Sequence, residues 1–348
     1  MRRLRLLGLA LAAACSDALE QTSSAGQVIA VVNSADNTVS FVSANDLSVR
    51  TVALQTPAGR GTTAAGRGST VLVPLGPADS VALINNAGLC TTGACVRPVV
   101  LFPLTKGSGA MGVAIQDDSI AWVANPKSNR ATRINYRTGD TSTIPVGITP
   151  QAVAITRRTL YVVNANLNGS APAGPSSISW MPLLPVVPNV LPTISLTGTN
   201  AQFAVVGEDS LLYVVDRGSP GARDGKLSIV DPVTNNEVVV INGLGELPGP
   251  AVFHPSGRLL VASEQEGILE INTLTRTVVL GPGRGIKPGG HGVAALALDQ
   301  GGRIYALDRG DCTSAGVVHV LSAPPDYGEV RAVSVGVCPS ATALAVVP

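Results

Sequence analysis

The chain repeats itself, and the repeat limits its fold more than any other feature. The run "VIAVVN", ending at Asn33, returns as "TVLVP", "IAWVAN", "LYVVN", "LYVVD", "LLVAS" and "IYALD". Each return is followed by Gly, Pro, Asn or Asp and then by another short β-branched run. Runs of four to eight such residues between turn formers are strand punctuation, and no helical period interrupts them beyond the N-terminal segment. The residues closing the runs are Asn33, Pro74, Asn125, Asn164, Asp216, Ser263 and Asp308, spaced at roughly 40 to 50 positions, the length of a four-stranded blade. The spacing predicts an all-β, seven-bladed β-propeller of four-stranded antiparallel blades.

Composition is compatible with such a ring and removes some functions. Of 348 residues, 45% are hydrophobic and 14% charged, which is enough to bury a large core. The net charge is +1, with Lys and Arg spread singly, so no basic stripe exists for a phosphate backbone and no nucleic-acid partner is expected. Aromatics at 3% leave few rings on which a sugar or flat cofactor could stack.

The units resemble the YVTN and NHL families of propeller repeats. "VANPKSN", "SIVDPVTNNEVVVI" and "IPVGITPQAVAI" carry the YVTN likeness, and "GVAALALDQGGRIYALD" carries the NHL one. The likeness runs from Gln27 to Pro348 and is sharpest after about Ile120. The first run has the character of the second strand of a blade, and the terminal "SATALAVVP" has that of an innermost strand. The C-terminal strand is therefore expected to pair into the first blade and close the ring, removing its open edges. Leu344 and Val346 are expected to be buried there, contributing about 1.5 to 3 kcal/mol each. Loss of Ser340 to Pro348 is then expected nearly to unfold a domain whose total stability is about 5 to 15 kcal/mol.

The N-terminus, "MRRLRLLGLALAAACSD", has three arginines, an apolar run from Leu6 to Ala14 too short to span a bilayer, and then Cys15. It resembles a bacterial lipoprotein signal, which implies residues 1–14 as signal peptide, a diacylated Cys15, a tether over 15–26 and a single propeller over 27–348. Its alternative is cleavage after Ala14 with soluble secretion. Ser16 rather than Asp after the cysteine implies the outer membrane, facing the periplasm or the cell surface. Export also suits the cysteines: without Cys15 four remain, and proximity suggests Cys90 with Cys95 and Cys312 with Cys338, one of three possible pairings. No zinc or haem spacing is present.

Blade phase places the loops after each second strand and before each inner strand on one face, at the mouth of the central channel. Asn33, Asn125, Asn164, Asp216, Glu264 and Asp308 are candidate binding residues on that face, with His291 beside Asp308. Propellers resembling gluconolactonases hold a divalent cation there, and those resembling virginiamycin B lyase use a histidine and a glutamate. By that likeness His291 is a candidate general base, while Asp308, Asp216 or Glu264 orients it or holds a metal. The sequence departs from both patterns, having no glutamate opening an inner strand and no recognisable companions of the lyase histidine. The competing reading makes the ring residues Asx-type turn closers with no cofactor.

Other signals fail on context. "GSGAMG", from Gly107, precedes a strand rather than a helix and reads as a turn between blades. "RGD" at Arg309 shares its Asp-Arg-Gly frame with Asp216 to Gly218 and reads as repeat. His254 and His319 read as structural. The apolar excursion with Trp180, Met181, Leu183, Leu184, Val186 and Val187 is either a partner surface or the third strand of blade four. "DRGSPGARDG", with Arg217, Arg223 and Asp224, is a second long mouth loop. The expected function is a monomeric envelope lipoprotein serving as a binding or scaffold module for a protein or small molecule. The alternative is an exported lactonase-like or lyase-like enzyme using His291.

Overall fold

The structure, a computed structural model, describes residues 26–56, 60–85, 99–183 and 192–347. Seven four-stranded antiparallel sheets follow one another around a ring. Blade 1 takes its inner strand, Pro339–Val347, from the C-terminus, followed outward by Gly26–Asn33, Thr38–Ser43 and Val49–Ala53. The inner and second strands of the other blades are Ala65–Arg67 and Thr70–Leu75 in blade 2, Val113–Ile115 and Ile120–Asn125 in blade 3, and Pro150–Thr156 and Thr159–Asn164 in blade 4. They are Ala201–Val206 and Leu212–Asp216 in blade 5, Ala251–His254 and Arg258–Ser263 in blade 6, and Ala295–Leu298 and Ile304–Asp308 in blade 7. Among the described residues, the only helical pieces are the 3₁₀ turns Gly76–Ala78 and Pro288–Gly290. No described helix is long and apolar enough to cross a membrane.

Each second strand lies inside its blade, so both faces press on neighbouring blades and the run is apolar without alternation. Ile120–Asn125 and Leu212–Asp216 are buried at every position. Successive side chains enter different interfaces: Val28, Ala30 and Val32 pack toward blade 2, and Ile29 and Val31 toward blade 7. Outer strands such as Thr193–Thr199 have one wet face and alternate, buried and exposed.

The C-terminal strand pairs antiparallel with Gly26–Asn33 from Gly26↔Val347 to Asn33↔Pro339, closing the ring. Its buried side chains are Ala341, Ala343 and Ala345, whereas Leu344 is 39% exposed. The expectation of a buried Leu344 and Val346 is corrected by one residue. Along this strand the alanines enter the interface with blade 2, and Leu344 turns out of it. The cause is visible at Gly66, where a Cβ would lie 1.9 Å from the Leu344 carbonyl oxygen.

Cys312 and Cys338 form a disulfide with Cα atoms 4.4 Å apart, tying the mouth loop of blade 7 to the start of the closing strand. Cys90, Cys95 and the lipid-bearing Cys15 lie outside the described residues. The excursion of blade 4 is resolved in favour of a strand: Pro175–Pro182 pairs with Thr159–Asn164, burying Met181, with Leu183 buried just after it. Leu184, Val186 and Val187 lie outside the described residues.

Candidate functional site

The repeated residue closing each second strand sits near the mouth but does not open onto it. Asn33, Asn125, Asn164 and Asp216 are all buried. Each reaches sideways to a hydroxyl on the third strand of its own blade. Asn33 Nδ2 donates to Ser40 Oγ (2.9 Å), Asn125 Nδ2 to Thr132 Oγ1 (2.6 Å) and Asn164 Nδ2 to Ser179 Oγ (3.0 Å). In blade 5, Ser228 Oγ donates to Asp216 Oδ2 (2.6 Å). Glycines of the preceding blade, Gly336, Gly147 and Gly198, form the flat wall against Asn33, Asn164 and Asp216, where any side chain would collide. These residues neither line a ligand cavity nor close turns on their own loop backbone; they lock second strand to third. Asp216 carries the acid in an amide's place. Burial pushes its carboxyl up to about 7, and its Oδ1 has no partner.

Asp308 differs from its equivalents because His291 reaches it from the turn preceding the inner strand of blade 7. His291 Nδ1 lies 2.5 Å from Asp308 Oδ2, and the His291 side chain is 65% exposed. Burial pushes the Asp308 carboxyl up. The Gly310 N–H, the His291 ring and the nearby His319 outweigh that and hold it below the usual carboxylate range. His319 is buried, with Nδ1 3.2 Å from Glu329 Oε2 and Nε2 3.9 Å from Asp308 Oδ2. His254 is also buried, with its ring nitrogens against Ser256 Oγ and the Gly302 carbonyl, as a structural histidine should be. His291, Asp308, Glu264 and Arg309 share a cleft of about 410 Å³. With Nδ1 on the carboxylate, Nε2 is the ring nitrogen left for the cleft, the arrangement of an oriented base.

This cleft adjoins a basin of about 320 Å³ over the channel, with Glu264 and Arg309 on the wall of both. Three successive blades place a charged side chain directly after the second strand: Arg217 in blade 5, Glu264 in blade 6 and Arg309 in blade 7. Arg309 Nη2 contacts Glu264 Oε1 at 2.7 Å. Arg217 stacks over Phe203 at 5.8 Å, donates from Nη1 to Gln202 Oε1 (3.1 Å) and from Nε to the Pro248 carbonyl (3.2 Å). Burial pushes its guanidinium below its ordinary value, and Arg309 adds to that while Glu264 opposes it. The other side of the basin is built by β-bulges at the inner strands. The register skips Gln151 between Pro150 and Ala152, Gln202 between Ala201 and Phe203, and Ser340 between Pro339 and Ala341. A bulge releases its extra residue from the ladder, and all three line the basin. Beneath it lies a smaller cavity of about 150 Å³ whose wall mixes valine, alanine and phenylalanine with threonine hydroxyls, and which shares Gln151, Gln202 and Phe203 with the basin.

The structure thus joins His291, Asp308 and Glu264 around one cleft and separates Asn33, Asn125, Asn164 and Asp216 from it. Sequence reasoning missed Gln151, Gln202 and Ser340. Their signal was a lone polar residue directly before each small apolar inner run, in "PQAVAI", "AQFAVV" and "PSATALA". Of the loop residues, Arg217 faces the basin, but Arg223 is bound to Glu266 (2.9 Å) and Asp224 accepts the Ser219 N–H. Among the described residues no group of three or more His, Cys, Asp or Glu side chains is placed to hold a metal ion.

No protein-family model and no curated protein matches the sequence. Solved structures match in shape. A protein of unknown function from Desulfotomaculum acetoxidans superposes with a TM-score of 0.68 at 16% identity, over 92% of this chain and 99% of that one. A catalytically inactive histidine-to-alanine variant of virginiamycin B lyase from Staphylococcus aureus, with quinupristin, gives 0.60 at 11% identity, over 89% and 88%. Hydrazine synthase from Kuenenia stuttgartiensis gives 0.63 at 14% identity, over 84% and 91%. At these identities what is shared is the fold, and the chain is a seven-bladed β-propeller.

Proposed function

We propose that this propeller is an exported, lipid-anchored envelope protein that binds a small molecule at its mouth. The observation that carries the binding is the basin: a concave, charged opening continuous with a second cavity of mixed apolar and polar lining, a form suited to a small molecule. The lipid anchor rests on Cys15 and the basic and apolar residues before it. Fatty-acid analogue labelling tests the anchor, with label expected on the wild type and absent from Cys15→Ala. Mass spectrometry of envelope extract passed over the immobilised propeller tests the binding. At least one small molecule should be retained by the wild type and released from a Gln151→Leu/Arg309→Leu double variant. Equal retention by both, or none by either, overturns the reading.

A second reading has one observation in its favour, the 2.5 Å contact between His291 and Asp308. In a lyase-like enzyme, Asp308 would hold the ring and Nε2 would take a proton from substrate in the cleft. Quinupristin, seen with virginiamycin B lyase, is the direct probe. Its turnover by the wild type, abolished in His291→Ala, would replace the binding reading with this one.

A further inference from the structure

The chemistry of the basin selects a class of ligand. Arg217 is largely buried, yet among the described residues no carboxylate lies within ion-pair distance of it. A guanidinium withdrawn from water without a counterion is costly, and the cost falls when an anion docks against it. Arg309 contacts Glu264 through Nη2, while its Nε is buried and without a partner. These three are the charged side chains lining the basin, so two guanidinium groups face one carboxylate and one positive charge is left over. Phe203, Gln202 and the Pro248 and Leu247 carbonyls hold Arg217 in place, which preorganises the remaining Nη1 and Nη2 donors of its plane for a carboxylate. Across the basin Gln151 is buried and, among the described residues, no hydrogen bond engages its side chain, a donor and acceptor still to be used. Below lies the cavity of about 150 Å³, with Val113, Val153 and Phe203 on its apolar side and Thr62, Thr63 and Thr342 on its polar side. A cavity of this size accepts a group as large as benzene.

We propose that the ligand is a small organic monocarboxylate, its carboxylate held by Arg217 and Arg309 and its benzene-sized or short aliphatic tail lowered into the channel. The proposal rests on the mouth-binding reading and specifies its ligand. A monoanion matches the unbalanced charge, and the tail exchanges water for the apolar side of the cavity at Val113, Val153 and Phe203. Glu264 is a competitor, since its carboxylate already occupies one guanidinium.

Titration calorimetry on the folded propeller with three probes tests this. Benzoate carries both parts of the ligand, benzyl alcohol only the ring, and acetate only the charge. Benzoate should bind at least tenfold more tightly than either of the others. Glu264→Gln should tighten benzoate several-fold by freeing Arg309, whereas a site for a cation would be weakened by the same change. Arg309→Gln should weaken benzoate tenfold or more. Ala152→Leu, which fills the cavity, should weaken benzoate and leave acetate unchanged, with melting curves confirming that each variant is folded. Benzyl alcohol binding as well as benzoate removes the anion and leaves the mouth as a small-molecule site. Failure of benzoate to bind the wild type, or weaker binding in Glu264→Gln, overturns the proposal, while the extract experiment continues to judge mouth binding by itself.

Discussion

At the scale of the residue, the same position in successive blades does different work. Asn33, Asn125 and Asn164 spend their amides on third-strand hydroxyls, Asp216 does so as an acid, and Asp308 is engaged by His291. Burial raises the Asp216 carboxyl from 3.8 to about 7, so the folded chain holds a proton that the unfolded chain releases near pH 4. The stability linked to that proton is fully present below pH 3.8 and is lost as pH rises to about 7. Asp216→Asn restores the amide of the other blades and needs no proton. Its melting temperature should match the wild type near pH 4 and exceed it at pH 8, where the lost linkage amounts to about 4 kcal/mol. A difference that does not change with pH would show that Asp216 is not protonated in the folded state. The closeness of His291 and Asp308 was legible because both occupy definite repeat positions. The burial of Asn33 and Asn164 was not, since it depends on glycines contributed by the preceding blade.

At the scale of the element, position in the blade decides the pattern. Second strands are covered on both faces and read as unbroken apolar runs, which is why they were the easiest to find. The register of the inner strand at the C-terminus was misread because "ATALAVV" alternates small and large residues. Its alanines face the interblade cluster toward blade 2, and Leu344 points out of it. Ala345→Leu should therefore cost about 1 to 3 kcal/mol by overpacking. Leu344→Gln, at an exposed position, should stay within about 0.5 kcal/mol of the wild type. Chemical denaturation of the two variants checks the register, and the reverse order would restore the original expectation.

At the scale of the whole molecule, stability depends on the ring remaining closed. Apolar clusters lie between successive blades all the way round, so an opening at one interface exposes two flanking faces. The seam lies in blade 1, where the two ends of the described chain pair. The Cys312–Cys338 disulfide anchors the incoming strand to blade 7 beside the His291 cleft. It closes a loop of 26 residues, and replacing both cysteines by serine should cost about 2 to 4 kcal/mol. Calorimetry under oxidising conditions should show that loss, and reductant should shift the wild type to the melting temperature of the variant. A wild type insensitive to reductant would mean that the closing strand holds without its clasp.

The sequence by itself determined the all-β class, the number of blades, the closure of the ring and the face on which polar residues gather. All four follow from local periodicity and turn chemistry, which act over a few residues and are written in order along the chain. Tertiary structure alone decided which polar residues meet solvent. Asn33 and Asp216 vanish between blades, while Gln151, Gln202, Arg217 and Arg309 converge on one basin from positions 15 to 158 apart in the chain. Burial and convergence depend on what the neighbouring blade contributes, and that neighbour is fixed only when the ring is complete.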